Sequence, residues 1–348
     1  MEGMIMERGT TIKLSRTVSM DSRHSSQDIF DSRVYVIDDG NNVVAVAEPQ
    51  ISEGMTSSVY IVNGEITFVP GMKYALDIHI GEKHYQSAFV APVLTPEIDS
   101  ISWRKNTNGS MDIMVSTHDP EHQVEYYRWT FEEDWEYKSW YFGEIRYEIS
   151  GALIPQSLFT ENNRFYCWDS NKSKSIILGT SERLTEKAIK DRIIHNFQSD
   201  NTRFSYLYSI LVKQYGIDRE AYMYFANLQK NIESSGSLFA PILTELKGNI
   251  TCLSDPEEPV VGYIAATIEV VSRVFINMER IGGEDDYKCE STRRYESYQL
   301  ADMYAAGYGI FYLQIPGGYY VCAPVRCIDC TMRGGTKNKP DFWPTDHQ

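Results

Sequence analysis

The chain has six cysteines, whose type and spacing make them the first residues to consider for chemistry. They are Cys167, Cys252, Cys289, Cys322, Cys327 and Cys330. The last three are spaced C-x4-C-x2-C in the closing segment VCAPVRCIDCTMRGGTKNKPDFWP. Cysteines in such a run ligate iron–sulfur clusters or zinc, act as a redox pair, or form structural disulfides. The choice between these roles indicates the compartment to which the protein belongs.

Structural disulfides fit this spacing best. A plant-type iron–sulfur site needs another cysteine further on, and none follows Cys330. A four-cysteine zinc site usually has two C-x2-4-C pairs, whereas this chain has a single cluster. Cys327 and Cys330 also lack the strand–helix setting of a thioredoxin-like motif. We predict that the three clustered cysteines are oxidised, that one pairs with Cys289 or another upstream cysteine, and that the compartment is oxidising.

The histidines and carboxylates form no recognisable catalytic or metal motif. His118 and His122 lie in STHDPEHQ, whose polar composition predicts a solvated turn between strands. His79 faces the same way as Asp77 in a predicted strand, as an exposed sheet face explains. The chain has no G-x-S-x-G motif, no phosphate-binding glycine loop and no calcium-binding loop. We therefore predict no catalytic residue, metal site or cofactor, and a protein that is not an enzyme.

Aromatic residues are concentrated in the segment EYYRWTFEEDWEYKSWY. Because side chains alternate along a strand, Tyr127, Trp129, Trp135 and Tyr137 are expected on one face of a sheet. If that face is open, its rings would bind a ligand or a partner protein; if it is covered, they belong to the core. We predict an interaction surface formed by these four residues.

Composition restricts the classes of partner. The formal net charge of −15 would repel a polyanion, so nucleic-acid binding is not expected. The hydrophobic fraction of 42% is enough for a folded core. No run of apolar residues is long enough for a membrane-spanning helix, and the opening MEGMIMERGTTIKLSRT lacks the apolar core of a signal peptide.

The pattern of alternating strands and turns predicts a mainly β fold with two domains. Residues 1–94 contain short alternating strands with turn signals at 39–42, 70–71 and 81–82, which indicates a β-sandwich of immunoglobulin or fibronectin type. Pro92 and Pro96 mark the boundary. Residues 95–348 are expected to form a second β-sandwich-like domain with a disulfide-stapled tail, on which Phe342 and Trp343 pack back.

A helical insertion is predicted in the second domain, at about residues 184–235. TSERLTEKAIKDRIIHNF places Leu184, Ala188 and Ile193 at helical spacing. DREAYMYFANLQKNIESSG has a stronger apolar stripe, and Asp218 can cap its start. We expect two helices here.

Several segments together resemble one protein family. YSILVKQYGIDREAYMYFANLQKNIESSGSLFAP, GNITCLSDPEEPVVGYI, RVFIN and CIDCTMRGGTKNKPDFW are similar to the Bacteroidetes family called domain of unknown function 4249. The resemblance extends over nearly the whole chain. It implies outer-membrane lipoproteins associated with TonB-dependent receptors, facing either the periplasm or the cell surface. Members carry a signal sequence and a lipid-bearing cysteine, both of which are absent from this chain, and the family supplies no catalytic residues.

Two functions from different classes follow. The first is a non-enzymatic accessory lipoprotein that works with a TonB-dependent transporter in capturing or gating an unknown ligand. The alternative is a β-sandwich hydrolase, acting on glycans or peptides, with an unrecognised carboxylate site. A deep cleft with two carboxylates about 5–10 Å apart would favour the hydrolase.

Overall fold

The structure is a computed structural model of the 348-residue chain. It describes residues 1–17, 26–28, 32–52, 55–121, 123–158, 164–184, 186–198, 202–234, 246–278, 280, 288–289 and 292–344. His122 and the end of the predicted helical insertion lie outside these residues. Strand is the main element throughout, as predicted, and helix is minor.

The strands are numbered in chain order. The first eleven are β1 (Glu2–Ile5), β2 (Thr11–Lys13), β3 (Ser15–Thr17), β4 (Ser26–Asp28), β5 (Ser32–Asp38), β6 (Val43–Ser52), β7 (Met55–Val62), β8 (Tyr74–Ile80), β9 (Lys83–Ser87), β10 (Ile98–Lys105) and β11 (Met111–His118). The next seven are β12 (Tyr126–Lys138), β13 (Ile145–Tyr147), β14 (Leu153–Pro155), β15 (Tyr166–Lys172), β16 (Ile177–Thr180), β17 (Ala188–Phe197) and β18 (Leu207–Ile217).

The remaining strands and the helices complete the described elements. The strands are β19 (Ile250–Cys252), β20 (Tyr263–Ala266), β21 (Glu269–Asn277), β22 (Arg293–Tyr295), β23 (Tyr308–Gln314) and β24 (Tyr319–Pro324). The α-helices are α1 (Arg219–Ser234), α2 (Leu300–Ala305) and α3 (Val325–Ile328), and short 3-10 turns lie at Thr202–Phe204, Ser297–Gln299 and Cys330–Arg333.

The first sheet has nine strands in the order β19-β9-β8-β5-β6-β7-β2-β1-β20. Its neighbours are antiparallel except for β1 and β20. The side chain of Asn249 links the two ends, since its amide donates to the Ile264 carbonyl and accepts from the Ile264 N–H. The sheet is therefore nearly closed, like a barrel. Its apolar side chains face inward, among them Val34, Leu76 and Ile78.

Residues 1–94 do not make this sheet alone. Two of its strands, β19 and β20, come from much later in the chain, and Ile250 and Ile264 lie in its core. The predicted boundary near residue 94 remains a prediction, but the sheet that precedes it is completed by segments beyond it.

Two further sheets lie face to face across a shared core. One has the order β10-β11-β17, and the other has the order β15-β12-β18-β21 with β16 also paired to β12. Ile113 of β11, Phe197 of β17 and Val212 of β18 belong to one buried cluster. This cluster also contains five aromatic side chains of β12, whereas Tyr126 belongs to a separate cluster.

The four predicted interaction residues are on one face of β12, as the alternation indicates, but that face is covered. Tyr127, Trp129, Trp135 and Tyr137 are all buried. Trp129 fits closely against β16, where a Cβ on Gly179 would lie 2.7 Å from its ring. The open sheet face that the interaction prediction needs is therefore not present, because the β10-β11-β17 sheet lies over it.

One of the two helices predicted in the insertion is confirmed. Arg219–Ser234 forms α1, and the Asp218 carboxylate accepts a 2.6 Å hydrogen bond from the Ala221 N–H, as predicted for a cap. The first predicted helix is wrong, because Ala188–Phe197 is strand β17, paired with β11. The register of β17 shifts near Asp191, which has a φ of 50°. This irregularity interrupts the alternation of buried and exposed residues, and the side chains of Leu184 and Ile193, which suggested a helix, are both exposed.

The disulfide prediction is largely confirmed. Cys167 pairs with Cys330, and Cys289 pairs with Cys327. The pairing predicted for Cys322 is wrong, and Cys252 is also free; both thiols are buried. Trp343 packs back on the domain as predicted: it is buried, and its indole N–H donates to Glu136 at 2.8 Å, whereas Phe342 stays half exposed.

Candidate ligand-binding cavity

A cavity of about 810 Å³ lies in the C-terminal part of the molecule. One wall is the β13–β14 hairpin with the segment before it, and the other is α2 with the start of β23. The segment containing α3 and the 3-10 turn at Cys330–Arg333 completes the lining. A volume of this size fits a drug-sized ligand, whose surface such pockets largely enclose.

Backbone hydrogen bonds hold the walls together. The Tyr141 N–H donates to the Cys327 carbonyl at 2.9 Å, and the Glu144 N–H donates to the Phe311 carbonyl at 2.8 Å. The Cys330 N–H likewise donates to the Arg164 carbonyl. These hydrogen bonds join segments that are far apart in sequence and fix the cavity walls relative to each other.

Gly309 permits a close contact in the lining. A Cβ at this position would lie 2.4 Å from Cδ1 of Ile328. Because both residues line the cavity, a larger residue at 309 would force the Ile328 side chain to move and would change the lining. The glycine therefore helps to set the shape of the cavity.

Aromatic side chains provide much of the apolar surface. The rings of Tyr147 and Tyr304 are 5.7 Å apart, and Phe142 and Phe165 meet edge to face at 5.9 Å. At the rim, Ile149 is 83% exposed. Flat rings at a cavity surface are suited to stacking against sugar rings or aromatic groups of a ligand.

Two arginine–carboxylate pairs supply the polar groups. Arg146 donates to Glu148 at 2.9 Å, and Arg164 pairs with Asp329, whose carboxylate also caps the following turn. Nε of Arg146 is buried and has no hydrogen-bond partner among the described residues. A buried donor without a partner is costly, but Nε is covered on all sides, so this atom is not itself a position for a ligand acceptor.

The lining carries binding groups rather than an evident nucleophile. No histidine or cysteine is among the described lining residues. Cys322 lies in the neighbouring core with Ile310, where burial raises the pKa of its thiol to about 12. Such a thiol stays protonated at neutral pH and is inert.

A second cluster of ionisable groups lies in the core between the two facing sheets. The buried carboxylate of Glu133 accepts hydrogen bonds from His195, Arg203, Tyr208 and Asn171. Its oxygens are saturated by protein donors, so we assign this cluster to stability.

The sequence did not identify the cavity. The residues predicted to bind, in β12, contribute nothing to its lining. The lining comes from residues 142–165 and 304–332, and neither segment carries a motif that indicates the other. The glycines of AGYGIF, which allow close approach, were the one available signal.

Comparison with known proteins identifies the family. A family model described as "Domain of unknown function (DUF4249)" matches residues 1–273. The chain belongs to this family. The match covers the Phe142–Phe165 side of the cavity but not α2, β23 or α3. No curated protein matches the chain. Among the described residues, no helix has the length and apolarity required to cross a membrane.

Proposed function

We propose that this member of the DUF4249 family is a non-enzymatic accessory lipoprotein of the outer membrane, facing the periplasm or the cell surface, that captures a ligand together with a TonB-dependent transporter. The cavity of about 810 Å³, with aromatic walls and two arginines, is the observation that carries the proposal. The two disulfides support an oxidising compartment. The transporter partnership rests on the resemblance to outer-membrane lipoproteins that are associated with TonB-dependent receptors.

The arrangement as two immunoglobulin- or fibronectin-like sandwiches is part of the proposal. The shared core of the β10-β11-β17 and β12-β18-β21 sheets supports it for the second domain. The first sheet supports it less well, because it closes on itself.

The lining suits a small polar organic molecule with a flat face, such as a short oligosaccharide or an aromatic peptide. Its flat face would stack on Tyr147 or Tyr304, and its acceptor would bind Arg146. Native mass spectrometry of the purified protein with defined mixtures of oligosaccharides and of peptides tests this. We expect a bound species that is lost in Tyr304→Ala and Arg146→Ala.

Tyr298→Ala is the matched control, because Tyr298 lies six residues before Tyr304, is 81% exposed and does not line the cavity. It should bind as the unaltered protein does. Binding that survives Tyr304→Ala and Arg146→Ala, or no binding from either mixture, would count against ligand capture at this cavity.

One observation keeps the hydrolase as a second candidate: two carboxylates, Glu148 and Asp329, line the same cavity. Each is paired with an arginine, which favours binding over proton transfer. The same spectra separate the two functions. A ligand recovered with unchanged mass supports capture, whereas cleavage products that disappear in Asp329→Asn would support hydrolysis.

The transporter partnership needs a separate experiment. The native lipoprotein is purified from outer membranes in mild detergent, and its partners are identified by mass. A TonB-dependent transporter recovered in stoichiometric amount supports the proposal. If no such transporter is recovered, the proposed partnership is refuted. Ligand capture is tested separately and would not be affected.

A further inference from the structure

Two histidines and an aspartate converge on the outer face of the first sheet, far along the chain from the cavity residues. Asp77 and His79 lie on β8, and His84 lies on β9. His79 and His84 are directly opposite each other across the β8–β9 hairpin. Their rings stack with centroids 4.3 Å apart and planes within 8° of parallel.

Both Nε2 atoms point at one carboxylate. Nε2 of His79 is 3.0 Å from Oδ2 of Asp77, and Nε2 of His84 is 2.5 Å from Oδ1. One ligand atom from each residue lies within 4.8 Å of the others. In a tetrahedral zinc site with bonds of about 2.0–2.1 Å, neighbouring ligand atoms are about 3.3 Å apart. The three ligand atoms are therefore within about 1.5 Å of the spacing that such a site needs.

From this geometry we propose that Asp77, His79 and His84 bind a divalent transition-metal ion of the zinc type. Imidazole nitrogen and carboxylate oxygen form the donor set that zinc, nickel and copper share. The cation takes the place of the Nε2 protons that otherwise bind Asp77, so the site holds either two hydrogen bonds or a metal.

The surroundings favour a rigid and open site. β8 is paired on both sides, by β5 and β9, so the three ligands start from a fixed backbone. Both histidine side chains are 34% exposed. Three protein ligands leave at least one coordination position for water or another donor, as in exchangeable rather than closed structural sites.

Two other side chains face the cluster from β5. Tyr35 is opposite Asp77, and Arg33 is opposite His79. Arg33 is exposed, so its guanidinium can extend into solvent when a cation binds. Its positive charge lowers the affinity, and Arg33→Gln should therefore bind the metal more tightly.

The test uses the untagged full chain and zinc chloride alone. Isothermal titration and elemental analysis after dialysis should give one zinc per chain. His79→Gln and His84→Gln should each weaken binding by about tenfold or more, because each removes a ligand. Cobalt bound in place of zinc should give visible absorption bands typical of nitrogen and oxygen ligands. The absence of a thiolate charge-transfer band would show that the free cysteines are not ligands.

His118→Gln is the matched control. Its Nδ1 also contacts a carboxylate, that of Asp99 at 2.7 Å, but without a second histidine among the described residues nearby. This variant should bind zinc as the unaltered protein does. Zinc should raise the melting temperature of the unaltered chain and of His118→Gln, but not of His79→Gln, while all three melt alike without metal.

Absence of saturable zinc binding would show that the cluster is only hydrogen bonded. Stoichiometric binding that survives the double change His79→Gln and His84→Gln would place the metal elsewhere. Either result overturns the proposal and leaves ligand capture at the cavity unaffected.

Discussion

Replacing Glu133 with glutamine should destabilise the protein strongly, although the two side chains have nearly the same shape. Glu133 is fully buried on the inward face of β12. Its carboxylate accepts hydrogen bonds from Arg203 at 2.8 and 3.1 Å, and from Tyr208 at 2.8 Å. In Glu133→Gln the charged Arg203 and the nearby His195 would face a neutral amide that also carries donors of its own.

The expected loss of folding stability follows from the pKa of the Glu133 carboxyl. Burial raises the pKa of Glu133, but hydrogen bonds from His195 and Arg203 outweigh it and lower the pKa from 4.5 to about 2. This difference corresponds to about 3 kcal/mol of folding stability at neutral pH. Breaking a buried ion pair by removing one partner costs about 3–5 kcal/mol, which agrees.

The sign of the pH dependence is also determined. Because the pKa is lower in the folded state, the contribution is fully present above pH 4.5 and is lost as the pH falls towards about 2. The difference in the free energy of unfolding between the unaltered protein and Glu133→Gln should thus be about 3 kcal/mol at pH 7. At pH 3 it should fall to about 1 kcal/mol.

Urea unfolding with intact disulfides, followed by tryptophan fluorescence and circular dichroism, measures this difference. Glu132→Gln is the control, since Glu132 lies next along the strand but pairs with Lys213 and Lys172 at the surface. That change should cost less than about 1 kcal/mol. Equal losses for the two variants at pH 7, or a loss for Glu133→Gln that persists at pH 2, would refute the reasoning.

Three further predictions concern the core, the helix and the cysteines. Trp129→Ala should cost about 3–5 kcal/mol in urea unfolding, because it empties a buried site and leaves Gln214 without the indole donor; a loss below about 1 kcal/mol would contradict the burial. Asp218→Ala should cost about 1 kcal/mol by removing the helix cap, and Asp218→Asn should restore most of it. Titration of the denatured, unreduced protein, expressed in the periplasm, should find two thiols, Cys252 and Cys322, and four or more would contradict the disulfides.

Local features were predictable where the responsible groups are neighbours in sequence. The turn at 81–82 joins β8 and β9, and the turn at 39–42 joins β5 and β6, as their glycines and asparagines indicated. The cap at Asp218 is confirmed for the same reason. The β8–β9 turn even sets the register that brings His79 opposite His84, so that pair could have been found from the sequence.

Features that depend on distant segments were not predictable. The period of β12 shows that Trp129 and Trp135 share a face, but not that the β10-β11-β17 sheet covers it. In β17, pairing with β11 decided the structure against an apparent helical period, and a residue with positive φ disrupted the alternation that would have revealed a strand. Tertiary pairing outweighs local propensity in such a segment.

The cysteines connect the stability of the fold with the shape of the cavity. Cys327 and Cys330 flank Ile328 and Asp329, two of the lining residues, and each is joined to a separate upstream segment. On the chain-entropy model, loops of 38 and 163 residues correspond to about 4 and about 5 kcal/mol. Backbone hydrogen bonds from Tyr141 to Cys327 and from Cys330 to Arg164 hold the α3 segment, and the two disulfides add covalent links on either side of Ile328. Reduction of these bonds should therefore loosen the cavity lining, so the proposed oxidising compartment and the proposed ligand binding are consistent with each other.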